Sequence, residues 1–188
     1  DWAIQTVTSR VRPYRLAVFD MDSTLIQCEV IDELARLAGV GAQVAAITDR
    51  AMRGELDFQE SFIERVALLK GLELNAVDRI LEVMPITEGV SELLLTLRAR
   101  GVYTAILSGG FLPFAQYLQR KFGFDEVHAN GLDSDGGVLT GEVRAPIVDG
   151  DYKRKALLDI AERKNIALED TIATGHGGND LPMLRTAG

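Results

Sequence analysis

Leu16-Ala17-Val18-Phe19-Asp20-Met21-Asp22-Ser23-Thr24-Leu25 contains an abrupt change of chemistry, four apolar residues followed by carboxylates and hydroxyls. The apolar run has the length of a buried strand, and the polar run reads as the loop at its carboxyl end. Two later segments repeat the pattern. Val102-Tyr103-Thr104-Ala105-Ile106-Leu107 stops at Ser108-Gly109-Gly110, and Asp170-Thr171-Ile172-Ala173-Thr174 stops at Gly175-His176-Gly177-Gly178-Asn179-Asp180. Apolar runs without polar alternation suit strands buried on both faces, hence a parallel sheet. Between them, residues 88–100 carry Val90, Leu93, Leu94 and Leu97 at helical spacing, with Gly101 as a stop signal. Residues 153–164 carry Ala156, Leu157, Ile160 and Ala161 in the same way. This alternation predicts right-handed crossovers and a doubly wound α/β core. Ligands in such sheets gather at the carboxyl ends of the strands, where all three polar runs lie.

Residues 28–86 are different. Helical patterns fill 29–38, 42–53, 58–69 and 75–83, and about sixty residues are too many for an ordinary crossover between neighbouring strands. An inserted helical cap over 28–86 is the economical reading, with Pro85 marking the return. The core then comprises 14–27 and 87–188. Between Asn130 and Val143, Asp135-Gly136-Gly137 predicts a β-hairpin. Residues 1–13 lack a period and read as an N-terminal tail or linker. The chain opens on Asp1 rather than Met, so the natural start is expected upstream. An open sheet of this kind usually continues, so a further strand is expected after Gly188.

At 188 residues the length suits one substantial domain, or a domain with an insert. No apolar run approaches the roughly 18 residues that a membrane helix needs, and no leader pattern opens the chain. The net charge of −8 argues against nucleic acid or anionic membrane as partner. A phosphorylated small molecule remains compatible, because a site can be locally positive on an acidic protein. The single cysteine, Cys28, cannot form an internal disulfide, which points to a reducing, cytoplasmic location. Cys28 lacks a partner at metal-ligand spacing and reads as packing. His128 reads as structural, and Trp2 carries no signal.

Asp20 and Asp22, two residues apart, project to one side of an extended chain. One carboxylate suits attack at phosphorus, giving an aspartyl-phosphate. The other suits proton transfer to the leaving oxygen and from water. A cation lets two anions and a phosphate share the space. D-x-D alone is better read as a strand end whose carboxylates cap turns; D-x-D-S-T directly after an apolar strand is far more specific. Ser108 and the N–H groups of Gly109 and Gly110 near a helix start suit an anion, although a plain glycine turn is the alternative. Lys153 taken alone reads as a surface lysine at a helix end, and Lys155 competes with it.

The segment from Asp20 to Leu25 resembles the first motif of the haloacid dehalogenase superfamily. The resemblance implies a Rossmann-like sheet with an inserted cap, Asp20 as nucleophile and Mg²⁺ ligand, and Asp22 as general acid/base lending its backbone carbonyl to one Mg²⁺. Ser108-Gly109-Gly110-Phe111 resembles the second motif. Lys153, in Asp151-Tyr152-Lys153, resembles the third-motif lysine. Gly175-His176-Gly177-Gly178-Asn179-Asp180 resembles the fourth, G-D-G-x-N-D, with His176 where an acidic metal ligand is usual. Asn179 then lies near substrate and Asp180 supports Lys153. Imidazole suits Zn²⁺ and similar ions better than Mg²⁺, so impaired metal binding, or a switch of metal, is implied at His176.

The likeness covers nearly all of residues 15–188 and is nearest to the phosphoserine-hydrolysing branch of the superfamily. It implies Glu29 for the substrate ammonium, Arg65 for its carboxylate, and Met52 and Phe58 closing over a small substrate. Each has a plainer reading: a helix-start acid, a solvated arginine, and cap core. Jointly they describe a phosphorylated α-amino acid. The implied reaction is hydrolysis of O-phospho-L-serine to L-serine, the last step of serine biosynthesis, by a monomer or homodimer. The alternatives are a phosphate-binding member with weak or no turnover, and a phosphatase for another small monoester.

Overall fold

The computed structural model of the protein describes residues 13–188. The tail or linker expected over 1–13, with Trp2, therefore lies outside the described residues except for Pro13. Strand β1 (Leu16–Phe19) is central, and all four of its side chains are buried. It pairs in parallel with β2 (Tyr103–Phe111) on one side and β6 (Thr171–Thr174) on the other, Val18 lying opposite Ala105 and Ala173. Strand β3 (Glu126–Asn130) joins outside β2, giving the order β3-β2-β1-β6. Successive side chains of a strand point to opposite faces, so β1 serves two cores. Leu16 and Val18 pack with Leu157 and Ile160 of α7 (Gly150–Arg163). Ala17 and Phe19 belong with Phe114 and Leu118 of α6 (Leu112–Phe122) and Leu94 of α5 (Val90–Ala99). Coverage of both faces explains why β1 has no polar alternation, and it makes the sheet the doubly wound α/β core expected.

The chain winds outward from β1 to β2 and β3, then returns across the sheet to β6. The winding direction therefore reverses beside β1, and a crevice opens at the carboxyl ends of the strands there.

Four helices precede α5 in the segment between β1 and β2: α1 (Val30–Ala38), α2 (Gly41–Met52), α3 (Phe58–Ala67) and α4 (Asn75–Val83). Helix α1 buries Val30, Ile31, Leu34 and Ala35 along one stripe. Helix α3 starts at a capping box in which Asp57 accepts from Glu60 N and Glu60 accepts from Asp57 N. The segments leading into and out of these helices run side by side, with Ile26 bridged to Ile86 and Gln27 N donating to Pro85 O at 2.8 Å. The hairpin of β4 (Ser134–Asp135) and β5 (Val138–Leu139) turns through Gly136 and Gly137, both at positive φ. Its Leu139 exchanges backbone hydrogen bonds with Gly71 and Leu72, so the hairpin docks on the inserted helices.

Two boundaries differ from the sequence expectation. Strand β2 does not stop at Leu107 but runs through Ser108-Gly109-Gly110 to Phe111. Its pairing with β3 is irregular between Leu107 and Phe111, and Asn130 bridges the gap by donating Nδ2 to Gly109 O at 2.8 Å. Helix α7 begins at Gly150 rather than Lys153, because Asp149 caps it by accepting from Tyr152 N at 2.9 Å. Lys153 is therefore inside the first turn of the helix and buried, not at a surface helix end.

Phe114 is wholly buried, whereas Leu95 on α5 is exposed. Phe114→Ala should cost about 3–5 kcal/mol of stability in urea unfolding, and Leu95→Ala less than about 0.5 kcal/mol. Equal effects would contradict the packing described.

Candidate active site

Strand β1 delivers Asp20 directly to the crevice, with Asp20 N donating to Thr174 O at 2.8 Å. The chain then turns tightly, Leu25 N donating back to Met21 O at 2.9 Å, and Ser23 takes a positive φ of 49°. This turn brings Asp22 against the start of α1, where its Oδ1 accepts from Val30 N at 2.9 Å. Both carboxylates are buried.

Lys153 lies between two acids. Its Nζ donates to Asp20 Oδ1 and to Asp180 Oδ1, each at 2.7 Å, and no part of its side chain is exposed. Asp180 is the last residue of a 3-10 turn (Gly178–Asp180) leading into the short α8 (Leu181–Leu184). Its Oδ2 accepts from His176 N at 3.0 Å and Gly177 N at 2.9 Å, which fixes the loop after β6. A Cβ on Gly175 would lie 2.5 Å from that carboxylate, so the loop closes only around glycine.

The two central carboxylates are tuned differently. Burial pushes Asp22 up to about 8, with Glu29 and Asp20 adding to the rise against the Val30 N–H. Burial also raises Asp20, with Asp180 adding to the rise, but here the Lys153 ammonium pulls strongly the other way. Asp22 is thus suited to carry a proton near neutrality, whereas Asp20 is the carboxylate paired directly with Lys153.

Strand β2 contributes Ser108, which is fully buried; its Oγ accepts from Gly110 N at 2.9 Å and lies 3.5 Å from Asp22 Oδ2. The two glycines are required by space. A Cβ at Gly110 would collide with the Asp22 carboxylate, and one at Gly109 would lie 2.8 Å from the Phe58 ring and 3.3 Å from Asn179 Nδ2.

Above these groups is a cavity of about 900 Å³, between the strand ends and helices α1 to α3. Asp20, Asp22, Gly109, Gly110, His176 and Asn179 line its sheet side. Glu29, Met52, Phe58 and Arg65 line its helical side. Lys153 and Ser108 lie beneath the floor rather than in the lining. Glu29 precedes α1 and accepts from Ser23 Oγ at 2.7 Å. Arg65 makes no ion pair among the described residues, and burial lowers its pKa although Asp32, Glu29 and Asp22 oppose the shift. Phe58 stacks on Phe62, with ring centroids 6.1 Å apart. Met52, at the end of α2, is 82% exposed and stands at the rim.

One contact across the cavity has no counterpart in the sequence reading: Gln59 Nε2 donates to Asp149 Oδ2 at 2.5 Å. It ties α3 to the cap of α7. The choice of Gln59 as partner of Asp149 depends on tertiary geometry alone. Cys28 packs against the core, and His128 bonds Glu126 and Tyr152 away from the cavity.

Asp20, His176 and Asp180 each bring one potential ligand atom within 4.8 Å of the others. His176 Nδ1 lies 3.8 Å from Asp20 Oδ2 and 3.5 Å from Thr24 Oγ1. Asp180 is already engaged through both oxygens. That leaves one carboxylate oxygen and one ring nitrogen as side-chain donors, which does not fit the oxygen shell that Mg²⁺ demands.

The chain is 43% identical over 188 residues to the phosphoserine phosphatase of Archaeoglobus fulgidus, covering 100% of this chain and 55% of that protein. It is 45% identical over 188 residues to that of Mycobacterium tuberculosis, covering 100% and 46%. The chain thus spans about half the length of these curated relatives. A solved phospho-aspartyl intermediate analogue of phosphoserine phosphatase superposes with a TM-score of 0.87 at 41% identity, covering 94% of this chain and 85% of that one. With residues 17–185 matching the haloacid dehalogenase-like hydrolases and the strand ends carrying the groups described above, the chain belongs to that family.

Proposed function

We propose that this chain hydrolyses O-phospho-L-serine to L-serine and phosphate through an aspartyl-phosphate on Asp20. The observation that carries the reading is charge placement in one cavity. Two carboxylates, only one of them paired with a buried ammonium, sit at the sheet end, while an acid and a half-buried arginine sit at the helical end. The relatives named as phosphoserine phosphatases supply the substrate class.

In this reading a carboxylate oxygen of Asp20 attacks phosphorus as the bond from phosphorus to the serine oxygen breaks. Asp22 gives its proton to that departing oxygen, then takes one from the water that attacks the aspartyl-phosphate and frees phosphate and Asp20. Lys153 holds Asp20 in line and offsets the growing negative charge, while Ser108 fixes the Gly110 amide from beneath the floor and Asn179 orients the phosphoryl oxygens. Glu29 binds the substrate ammonium. The Arg65 fork takes the carboxylate by two parallel hydrogen bonds. Residues 28–86 act as the cap: Phe58 and Met52 close over the substrate, and the Gln59–Asp149 bond favours the closed arrangement, which excludes bulk water. No helix among the described residues is long and apolar enough to cross a membrane, and we place the activity in the cytoplasm.

His176 favours a second reading, a phosphate-binding member whose turnover with Mg²⁺ is slow. Phosphate release from phosphoserine, assayed with several divalent cations, tests both. Asp20→Asn should lower kcat by more than about 10³-fold, and Asp22→Asn by about 10²–10⁴-fold. An active Asp20→Asn variant would remove the covalent route.

Substrate recognition is tested separately. Arg65→Ala and Glu29→Ala should each lower kcat/KM for phosphoserine by at least about 30-fold, the roughly 2 kcal/mol of a truncated charge pair. Both should leave p-nitrophenyl phosphate within about threefold, since it lacks the amino-acid end. Equal losses on the two substrates would assign these residues to folding and not to recognition.

A further inference from the structure

The disagreement between the metal-facing donors and magnesium can be followed to a definite ion. Asp20 Oδ1 is bound to Lys153, which leaves Oδ2. Asp22 Oδ1 is bound to Val30 N. Asp180 has no exposure, and its two oxygens serve Lys153, His176 N and Gly177 N. The His176 ring, 52% exposed and lining the cavity, therefore supplies the second side-chain donor beside Asp20 Oδ2, 3.8 Å away. A cation bound at about 2.0–2.2 Å to one nitrogen and one oxygen holds those atoms roughly 3–3.5 Å apart. A small rotation of the half-exposed ring closes that gap. Thr24 Oγ1, at 3.5 Å from the same nitrogen, is a weak competitor.

We propose that this chain binds a borderline divalent cation of the zinc class through Asp20 Oδ2 and His176 Nδ1, in preference to Mg²⁺. Water or a phosphoryl oxygen completes the shell. A neutral imidazole adds affinity for an ion that accepts nitrogen and removes the anionic oxygen on which Mg²⁺ depends. The inference rests on the phosphoryl-transfer reading for the purpose of the cation, not for its binding.

The test is made on metal-stripped protein, reading binding rather than turnover. Only two histidines are present, so the ring proton resonances of His176 are assigned by comparison with His128→Ala. One equivalent of Zn²⁺ should shift the His176 resonances, and millimolar Mg²⁺ should leave them unmoved. In calorimetric titration, His176→Asp should reduce the ratio of Zn²⁺ to Mg²⁺ affinity by at least tenfold, and His128→Ala should leave it within threefold. Zn²⁺ binding without response from His176 would overturn the proposal. So would Mg²⁺ shifting the same resonances at comparable concentration, or an unchanged ratio in His176→Asp. Zinc bound at His176 in a chain that releases no phosphate from phosphoserine would uphold the proposal and remove the phosphatase reading alone.

Discussion

The Lys153 ammonium, closed from solvent between Asp20 and Asp180, is the constraint on which the site depends. It joins three distant parts of the chain: the end of β1, the first turn of α7 and the turn after β6. Burying one cation with two anions is costly, and such groups contribute little net stability compared with apolar packing. Their effect here is geometric. Removing any member leaves a buried charge unpaired, so the three segments keep one relative placement. Asp180 extends this order outward, because its second oxygen gathers the amides of His176 and Gly177. The β3-β2-β1-β6 order makes the arrangement reachable, since β6 lies directly beside β1.

The same burial acts on two chemically identical side chains whose partners differ. Asp20 and Asp22 are both deprived of water, and both are raised. Only Asp20 receives the ammonium directly. Asp22 receives one amide from the start of α1 and faces Glu29, and it is pushed up to about 8. A spacing of two residues alone would not give the two carboxylates different partners; the turn at Ser23 and the position of Lys153 do so.

Much of this was legible in the sequence, for reasons that differ by element. Strand β1 announced itself because a doubly covered strand must be apolar at every position. The limits of α4, 75–83, could be read directly because its apolar period is unbroken. The strand character of Ser108-Gly109-Gly110 was hidden, because glycine carries no pattern and the Asn130 side chain that supports it lies in another strand. The start of α7 was hidden because Gly150-Asp151-Tyr152 has no apolar period, although Asp149 is a capping residue. Lys153 was placed by resemblance alone. No local rule predicts a fully buried lysine, since its two partners are 133 and 27 residues away. The Gln59–Asp149 contact was hidden for the same reason.

His176 shows how far fold and chemistry separate at one position. The loop after β6 is held by the backbone N–H of His176, by Gly175 and Gly177, and by Asp180. None of these depends on the side chain at 176, which stands half exposed at the cavity wall. Any side chain that leaves the amide free keeps the loop, the Lys153 placement and the sheet register. The same side chain faces the oxygen of Asp20 that Lys153 does not occupy, with Nδ1 3.8 Å from it. Local structure is thus insensitive to the residue, while the chemistry of the cavity wall beside Asp20 changes with it. A fold in the ordinary form of its family is therefore compatible with a histidine at this wall of the cavity.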